Sequence, residues 1–395
     1  MHVAIDYTAA VRQQAGIGRY TRNLVRTLAD VDAQNRYTLF VAGGWGQGDG
    51  LGAWPANFRV RTVPVTDRVL NIVWQRLRIP VPIQIVTGRF DLFHSPDFVL
   101  PYVGSAPALL TVHDLSFLRV PQHFVPGFRD YLEGAVSRGV RRANHILADS
   151  ESTRSDLIEL MRVRGEKVSV VYPGVESRFS RIEDGQILAE VRERYGLPNR
   201  FVLGLSTLQP RKNFDGLVDA FQLLLSQHAD KEEIADLHLV ICGGSGWMYE
   251  DIQQRVQHHG LEARVHLTGF VQDMDLPALY SLASVFAFPS WYEGFGLPVL
   301  EAMACGTPVV AADNSSLPEV VGDGGLLVDA SSPDELASAL MRLLSNQGLR
   351  AALRRTGLAQ AAKFTWPLAA RSLLAAYKRV QGQAASHYVS HNKSR

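Results

Sequence analysis

Several things are scarce in this sequence. Only two cysteines occur in 395 residues, Cys242 and Cys305, each in an apolar stretch. That excludes a disulfide-stapled scaffold and a thiolate metal site, and suits reduced core residues of a cytosolic protein. No run of about 18 apolar residues exists, so no membrane-spanning helix is expected. The chain enters a strand-like stretch at once (His2 to Asp6), without a basic leader and apolar core, so no signal peptide is expected. The net charge is only +1, which gives no argument for a nucleic-acid partner. No acidic cluster is assigned as a metal site.

What is present is ordinary in bulk and uneven in detail. Hydrophobic residues make up 46% and charged residues 20%, the balance of a globular chain long enough for two domains. Residues 1–180 hold 21 Lys and Arg against 16 Asp and Glu, so the first half is basic and the second half acidic. Residues 68–90 carry Arg68, Arg76, Arg78 and Arg89 and no acid, interleaved with Trp74, Leu77, Ile79 and Ile85. Phe124, Phe128, Tyr131, Arg129, Arg138, Arg141 and Arg142 extend this character. Such segments suit docking on anionic lipid and equally suit half-buried helices with solvated arginines.

Short apolar runs alternate with helical patterns in both halves. The first half reads as strands at Val3–Asp6, Tyr37–Ala42, Phe58–Val63, Phe90–His94, Ala108–Val112, His145–Ala148 and Val168–Tyr172. The second half reads as Phe201–Ser206, Leu237–Cys242, Val265–Leu267, Val285–Phe288, Val309–Ala311 and Leu326–Val328. This is the α/β pattern of two Rossmann-like parallel sheets, each covered by helices on both faces. The polar stretch at about 175–185 marks the boundary, which we set after residue 178. Ligands in such sheets bind beyond the carboxyl ends of the strands.

The candidate site residues cluster at those ends. Ala15-Gly16-Ile17-Gly18 is a glycine loop after the first strand, but Thr21 stands where the dinucleotide fingerprint needs its third glycine. His113 and Asp114 emerge where the strand Ala108–Val112 stops. Arg211 and Lys212 lie between a strand and a helix N-terminus, a ready diphosphate clamp. Gly243 begins a second glycine loop. Phe286 to Val310 then supplies a buried strand, a turn with Gly294 and Gly296, and a helix with Pro298 at its first position. Glu293 and Glu301 bracket that turn. A helix start between two acids suits a nucleoside diphosphate joined to a polyhydroxy group.

The stretch Glu293-Gly-Phe-Gly-Leu-Pro298 with Glu301, Ala302, Gly306, Pro308 and Val309 resembles the E-x7-E element of retaining nucleotide-sugar glycosyltransferases of family 4, which have the GT-B fold. His113 to Pro121 resembles the same region in bacterial polysaccharide mannosyl- and rhamnosyltransferases of that family. The resemblance implies two Rossmann-like domains facing across a cleft, 1–178 for the acceptor and 179–364 for the donor. It implies a terminal helix over 365–381 that crosses back to the first domain, and a flexible tail over 382–395.

By the same resemblance, Gly16 faces the donor phosphate and His113 the donor sugar. Gly243 lies along the nucleoside, and the backbone of Phe270 and Val271 meets the base. Lys212 binds the diphosphate, with Arg211 as an inferred substitute for the arginine that relatives carry where this chain has Ser206. Gly294, Phe295, Gly296 and Leu297 complete the donor cradle. Glu301 binds ribose hydroxyls. Glu293 holds sugar hydroxyls near the position a nucleophile would occupy, so the catalytic set is Glu293, His113 and Lys212.

The expected activity is transfer of a hexose, mannose from GDP-mannose by preference, to a glycan or polyprenyl-linked acceptor. No cofactor and no metal are expected. The expected location is cytoplasmic, with the basic first half against an anionic membrane surface. A nucleotide-sugar epimerase, a sugar phosphorylase or a non-catalytic nucleotide-sugar-binding protein of the same fold are the alternatives.

Overall fold

Among the described residues every strand pairs in parallel, which follows from the alternation of apolar strands with helical crossovers. The structure is a computed structural model, and it describes residues 1–13, 16–43, 52–244 and 249–392. The chain divides into two units, Met1–Gly174 with Thr365–Arg395, and Val175–Phe364.

The first unit is built on a seven-stranded sheet. Its strands are β1 (His2–Asp6), β2 (Arg36–Ala42), β3 (Phe58–Val63), β4 (Leu92–Ser95), β5 (Ala108–Val112), β6 (His145–Ala148) and β7 (Val168–Val170), in the order β3-β2-β1-β4-β5-β6-β7. The order reverses between β1 and β4, which opens a crevice at their carboxyl ends. On one face the helix Ile17–Val31 buries Leu24, Val25 and Leu28, spaced three and four apart as one apolar stripe. The other face buries Phe93, Leu110, Val136 and Ile146. Ser150 caps the helix Glu151–Met161, its hydroxyl accepting the Thr153 N–H at 3.0 Å.

The last helix, Trp366–Asn392, completes this unit. Trp366, Leu373, Tyr377 and Val380 join the same apolar cluster as β1 and β2. The Tyr377 hydroxyl lies 2.8 Å from His94 Nδ1 on β4. Gly174 permits the close return of the chain, because a Cβ there would stand 2.1 Å from the Trp366 nitrogen. The helix runs past residue 381, where the sequence reading ended it and began a tail. No proline follows Gly382, and Ala384 and Ala385 favour helix, so nothing local stops it.

The second unit has six strands: β8 (Phe201–Leu205), β9 (His238–Cys242), β10 (Val265–Gly269), β11 (Val285–Phe288), β12 (Val309–Ala312) and β13 (Gly325–Val328). Their order is β10-β9-β8-β11-β12-β13, with the reversal between β8 and β11. Its core joins Val202, Leu239 and Val285 to Phe221, Leu224 and Leu340 from flanking helices. Cys242 and Cys305 are buried, unpaired with each other, and burial pushes both thiols up to about 12.

Candidate active site

The loops that leave β8 and β11 stand on either side of the reversal in the second sheet, where the fold places a ligand crevice. After β8 the chain makes a tight turn, Pro210–Lys212, then a left-handed residue, Asn213, with φ 56°. Asparagine tolerates that conformation. Its side-chain amide donates to the carbonyls of Pro289 (3.0 Å) and Ala330 (2.8 Å), which ties this loop to the one after β11.

Three charges meet there. Lys212 Nζ donates to Glu293 Oε1 at 2.6 Å, and Arg211 Nη1 to Glu293 Oε2 at 3.2 Å. Arg211 Nη1 also donates to the Tyr292 carbonyl. All three side chains are largely buried, at 14% exposure for Arg211, 10% for Lys212 and 8% for Glu293. Burial opposes the Glu293 charge, but Lys212 and Arg211 outweigh it and hold the carboxyl down to about 2. Glu293 is therefore a permanent anion, and the cluster keeps one positive charge in surplus. That suits an incoming phosphate.

The loop carrying Glu293 is fixed from several sides. The Trp291 N–H donates to the Arg211 carbonyl (2.9 Å), and the Asn314 amide to the Ser290 carbonyl (3.0 Å). Ser315 Oγ accepts from the Glu293 N–H at 2.9 Å. Ser316, fully buried, places its hydroxyl 3.0 and 2.8 Å from the carbonyls of Glu293 and Phe295.

Gly296 then turns the chain at φ 108°, a conformation that favours glycine, and a Cβ there would also push on the Leu317 side-chain end at 2.7 Å. The helix it opens is Leu297–Ala304, with Pro298 second rather than first, because Gly296 acts as the cap and Leu297 already has helical geometry. Gly294 and Phe295 are buried beneath this turn, and Phe295 packs edge-on against Phe364. Glu301 sits on the inner side of the helix at 2% exposure, its Oε2 accepting from the Tyr280 hydroxyl at 3.1 Å.

The remaining donor-side residues lie at neighbouring strand ends. The Gly243 N–H donates to the Gly269 carbonyl at 2.9 Å. Ser245 and Gly246 of the same glycine loop lie outside the described residues, as does Ala15 of the first one. Val271 is buried, whereas Phe270 is 46% exposed. Asp273-Met274-Asp275 has the spacing of a metal-binding acid pair, which the sequence reading passed over. Asp275 is bound by Arg194 (2.8 Å) and the Tyr195 hydroxyl (2.7 Å), and Asp273 pairs with Arg178. Protein cations thus engage both acids.

In the first unit, Gly16 has φ 58° and caps the helix Ile17–Val31. His113 follows β5 and is buried between the rings of Tyr20 and Phe98. Its Nδ1 lies 2.7 Å from Asp149 Oδ2 and its Nε2 2.9 Å from the Pro96 carbonyl. Both neighbours are acceptors, so the ring carries two protons and the pair is imidazolium and carboxylate. Burial works against the charge, but Asp149 and then Asp97 overcome it and raise the ring to about 9. The family resemblance implies a ring facing a donor sugar; here both its nitrogens are engaged within the chain.

A folded pKa above the ordinary 6.5 means the pair's stabilisation is complete below pH 6.5 and lost as pH rises through about 9. An NMR titration of the ring nitrogens should show both protonated at pH 7.5 in roughly all molecules, since that pH lies well below the midpoint. A neutral ring at that pH would overturn the assignment.

The crevice of the first sheet holds a cavity of about 120 Å³ that sequence reasoning did not find. Asp6 and Asp97, at the ends of β1 and β4, line it with Asp67, Arg12 and Trp74. Burial raises the Asp6 carboxyl to about 6 and raises Asp97 as well.

Family comparisons match these two units in turn. Residues 15–179 match the Glycosyltransferase Family 4 model, and residues 190–360 match the Glycosyl transferases group 1 model. The O-antigen chain mannosyltransferase B of Escherichia coli is 34% identical over 288 residues, 73% of this chain and 74% of that one. The chain belongs to glycosyltransferase family 4. The serotype-specific mannosyltransferase WbdA of Escherichia coli is 30% identical over 68% of this chain, which spans only 33% of that longer protein. The Anabaena HepE structure in complex with UDP-glucose superposes with a TM-score of 0.70 at 20% identity, covering 96% of this chain and 99% of that one.

For this glycosyltransferase the GT-B fold expected from the sequence is therefore the fold observed. The residues that sequence reasoning missed are Asn314, Ser315 and Ser316, which brace the Glu293 loop. A usable signal was present: Asp313-Asn-Ser-Ser316 is a polar cluster at the carboxyl end of a buried central strand, β12.

Proposed function

We propose that this glycosyltransferase moves a mannosyl group from GDP-mannose to a hydroxyl of a glycan or lipid-linked saccharide, with retention at the anomeric carbon. The buried Arg211–Lys212–Glu293 cluster carries this reading. As the bond from the anomeric carbon to the diphosphate breaks, negative charge collects on the leaving oxygen. Cations held in place beforehand, in a site screened from water, stabilise that charge more than they stabilise the bound donor. Lys212 and Arg211 contact the diphosphate, and the N–H groups at the start of the Leu297–Ala304 helix add to them. Glu301 receives the ribose hydroxyls and Glu293 the sugar hydroxyls.

Two routes give retention. In one, Glu293 attacks the anomeric carbon and is then displaced. In the other, the acceptor oxygen attacks from the face the diphosphate is leaving, and a phosphate oxygen takes its proton. The ion pairs on Glu293 favour the second, since a carboxylate bound to two cations is a weak nucleophile. The acidic cavity at the ends of β1 and β4 supports an acceptor that presents hydroxyls, which carboxylates bind well. His113 serves this site as a buried cation held by Asp149. We place the reaction in the cytoplasm.

Mannose is supported by the similarity to the O-antigen chain mannosyltransferase B and the mannosyltransferase WbdA of Escherichia coli. A thermal-shift panel tests the donor directly, because the preferred ligand raises apparent stability by mass action. GDP-mannose at about 100 times its Kd should add roughly 2.7 kcal/mol. A larger shift with UDP-glucose or another nucleotide sugar would replace this donor. Turnover should survive EDTA, since protein cations provide the charge; its loss would show a required metal. An inverted anomeric configuration in the product, read by NMR, would remove the retaining route.

A further inference from the structure

The second unit has a cavity away from its donor side. It holds about 240 Å³, and its lining includes Arg181, Arg200, Arg350 and Arg354 with the hydroxyl residues Ser284 and Thr307. Arg200 immediately precedes β8, Ser284 precedes β11, and Thr307 and Pro308 precede β12. The cavity therefore lies at the amino ends of three neighbouring parallel strands, whereas the Arg211–Lys212–Glu293 cluster lies at their carboxyl ends. β11 has four residues and β8 five, so about 13–17 Å of strand separates the two places.

The cations are built in. Arg350 and Arg354 stand four apart on the helix Gln347–Ala361 and so share one face. That helix carries Arg350, Arg354 and Arg355 and no acid. Arg350 stands near its start, where the backbone dipole disfavours a cation. Backbone carbonyls hold both side chains in place. Arg350 Nη1 donates to Leu343 and Leu344, each at 2.6 Å, and Arg354 Nε to Gly306 at 3.0 Å. Among the described residues no carboxylate pairs with either guanidinium. Arg181 and Arg200 do have acids beside them, Glu183 at 3.6 Å and Asp236 at 3.4 Å, but both carboxylates are exposed and water screens them. Four cations thus face two acids at the rim. Partial desolvation, then the charges of Arg181 and Arg350, work against the Arg354 cation, and Glu183 offsets them only in part.

We propose that this cavity is a second anion site, for a compact phosphate anion of two or more charges such as inorganic diphosphate. Guanidinium meets phosphate oxygens in a forked geometry, and two surplus cations match a multivalent anion better than a single charge. The space is below the roughly 300–1,000 Å³ of pockets that enclose larger organic ligands, so a whole nucleotide sugar does not fit. The second half of the chain is acidic overall, which disfavours a nucleic acid or an anionic surface as the occupant. No carboxylate, histidine or cysteine lines the cavity, so it binds and does not react. The site is independent of the donor and acceptor readings and stands if either fails.

Calorimetric titration of the full chain with sodium diphosphate, free of divalent metal, tests this. The donor clamp can also take diphosphate, so Lys212→Ala protein is titrated beside the wild type. Diphosphate should still bind the Lys212→Ala chain saturably, and more weakly as salt rises. In that background, Arg350→Ala with Arg354→Ala should weaken binding by at least about tenfold. Arg181→Glu, a change to an exposed side chain, should have an effect of about the same size, with Tm unchanged when no diphosphate is present. Inorganic phosphate, with fewer charges, should bind less tightly. Absence of saturable binding to the Lys212→Ala chain would overturn the proposal, as would binding that either folded cavity variant leaves unchanged. Diphosphate should also raise Tm by mass action. An equal rise with sodium chloride at matched ionic strength would show charge screening in place of a site.

Discussion

Alanine at position 212 is expected to lower kcat/KM by roughly 100- to 1,000-fold, with most of the loss in kcat. Lys212 Nζ is buried and fixed 2.6 Å from Glu293 before any donor arrives, so it needs no reorganisation when charge develops on the departing diphosphate. An interaction that strengthens only as the bond breaks is lost from the transition state and not from the bound donor. That is why KM should change less. The fold should tolerate the change, because Arg211 still neutralises Glu293. Lys212→Arg restores charge with a different shape and should recover only part of the rate. Initial-rate kinetics over a range of donor concentrations decide the matter; unchanged kcat in a folded Lys212→Ala protein would remove this residue from the mechanism.

Alanine at position 293 should act differently, through stability as well as rate. Removing the carboxylate strands two buried cations. Breaking a buried pair from one side costs about 3–5 kcal/mol. For a unit of this size each kcal/mol is worth about 2–4 °C, so Tm should drop by roughly 6–20 °C. GDP alone should then stabilise the variant more than the wild type, because its diphosphate supplies the missing anion.

The variant should also lose a pH response. Glu293 lies at about 2 against an ordinary 4.5. Its stabilisation is full above pH 4.5 and disappears as pH falls through about 2, so the wild type has an acid limb there that Glu293→Ala lacks. Thermal unfolding with and without GDP, repeated across pH, measures all three effects. A variant as stable as the wild type would show that the cations find another partner.

The fold was largely legible in the sequence, because buried parallel strands are short apolar runs, and runs such as Ala108–Val112 and Val285–Phe288 stand out against polar helices. The E-x7-E turn was legible for a local reason: the φ of 108° at Gly296 favours glycine, and Glu301 is placed by the helix that follows. What was not legible depends on strands far apart in the chain. Asn314 to Ser316 reach the Glu293 loop only because β12 lies beside β11. The two acceptors around His113, Asp149 and Pro96, come from other strands, so the sequence could show a histidine at a strand end but not its charge. Asp6 and Asp97 are 91 residues apart and share a cavity only through the pairing of β1 with β4.

The return of the chain at Thr365 sets an order of events during synthesis. The unit Val175–Phe364 is one unbroken segment and has all its strands once Phe364 has left the ribosome. The unit that begins the chain is not yet whole at that moment. Its β1–β2 face still lacks Trp366, Leu373, Tyr377 and Val380, and His94 lacks the Tyr377 hydroxyl. The half translated second is therefore the first able to finish folding. The half translated first waits, with apolar surface uncovered, for residues 366–380 to emerge, and that interval is when a chaperone has most to do.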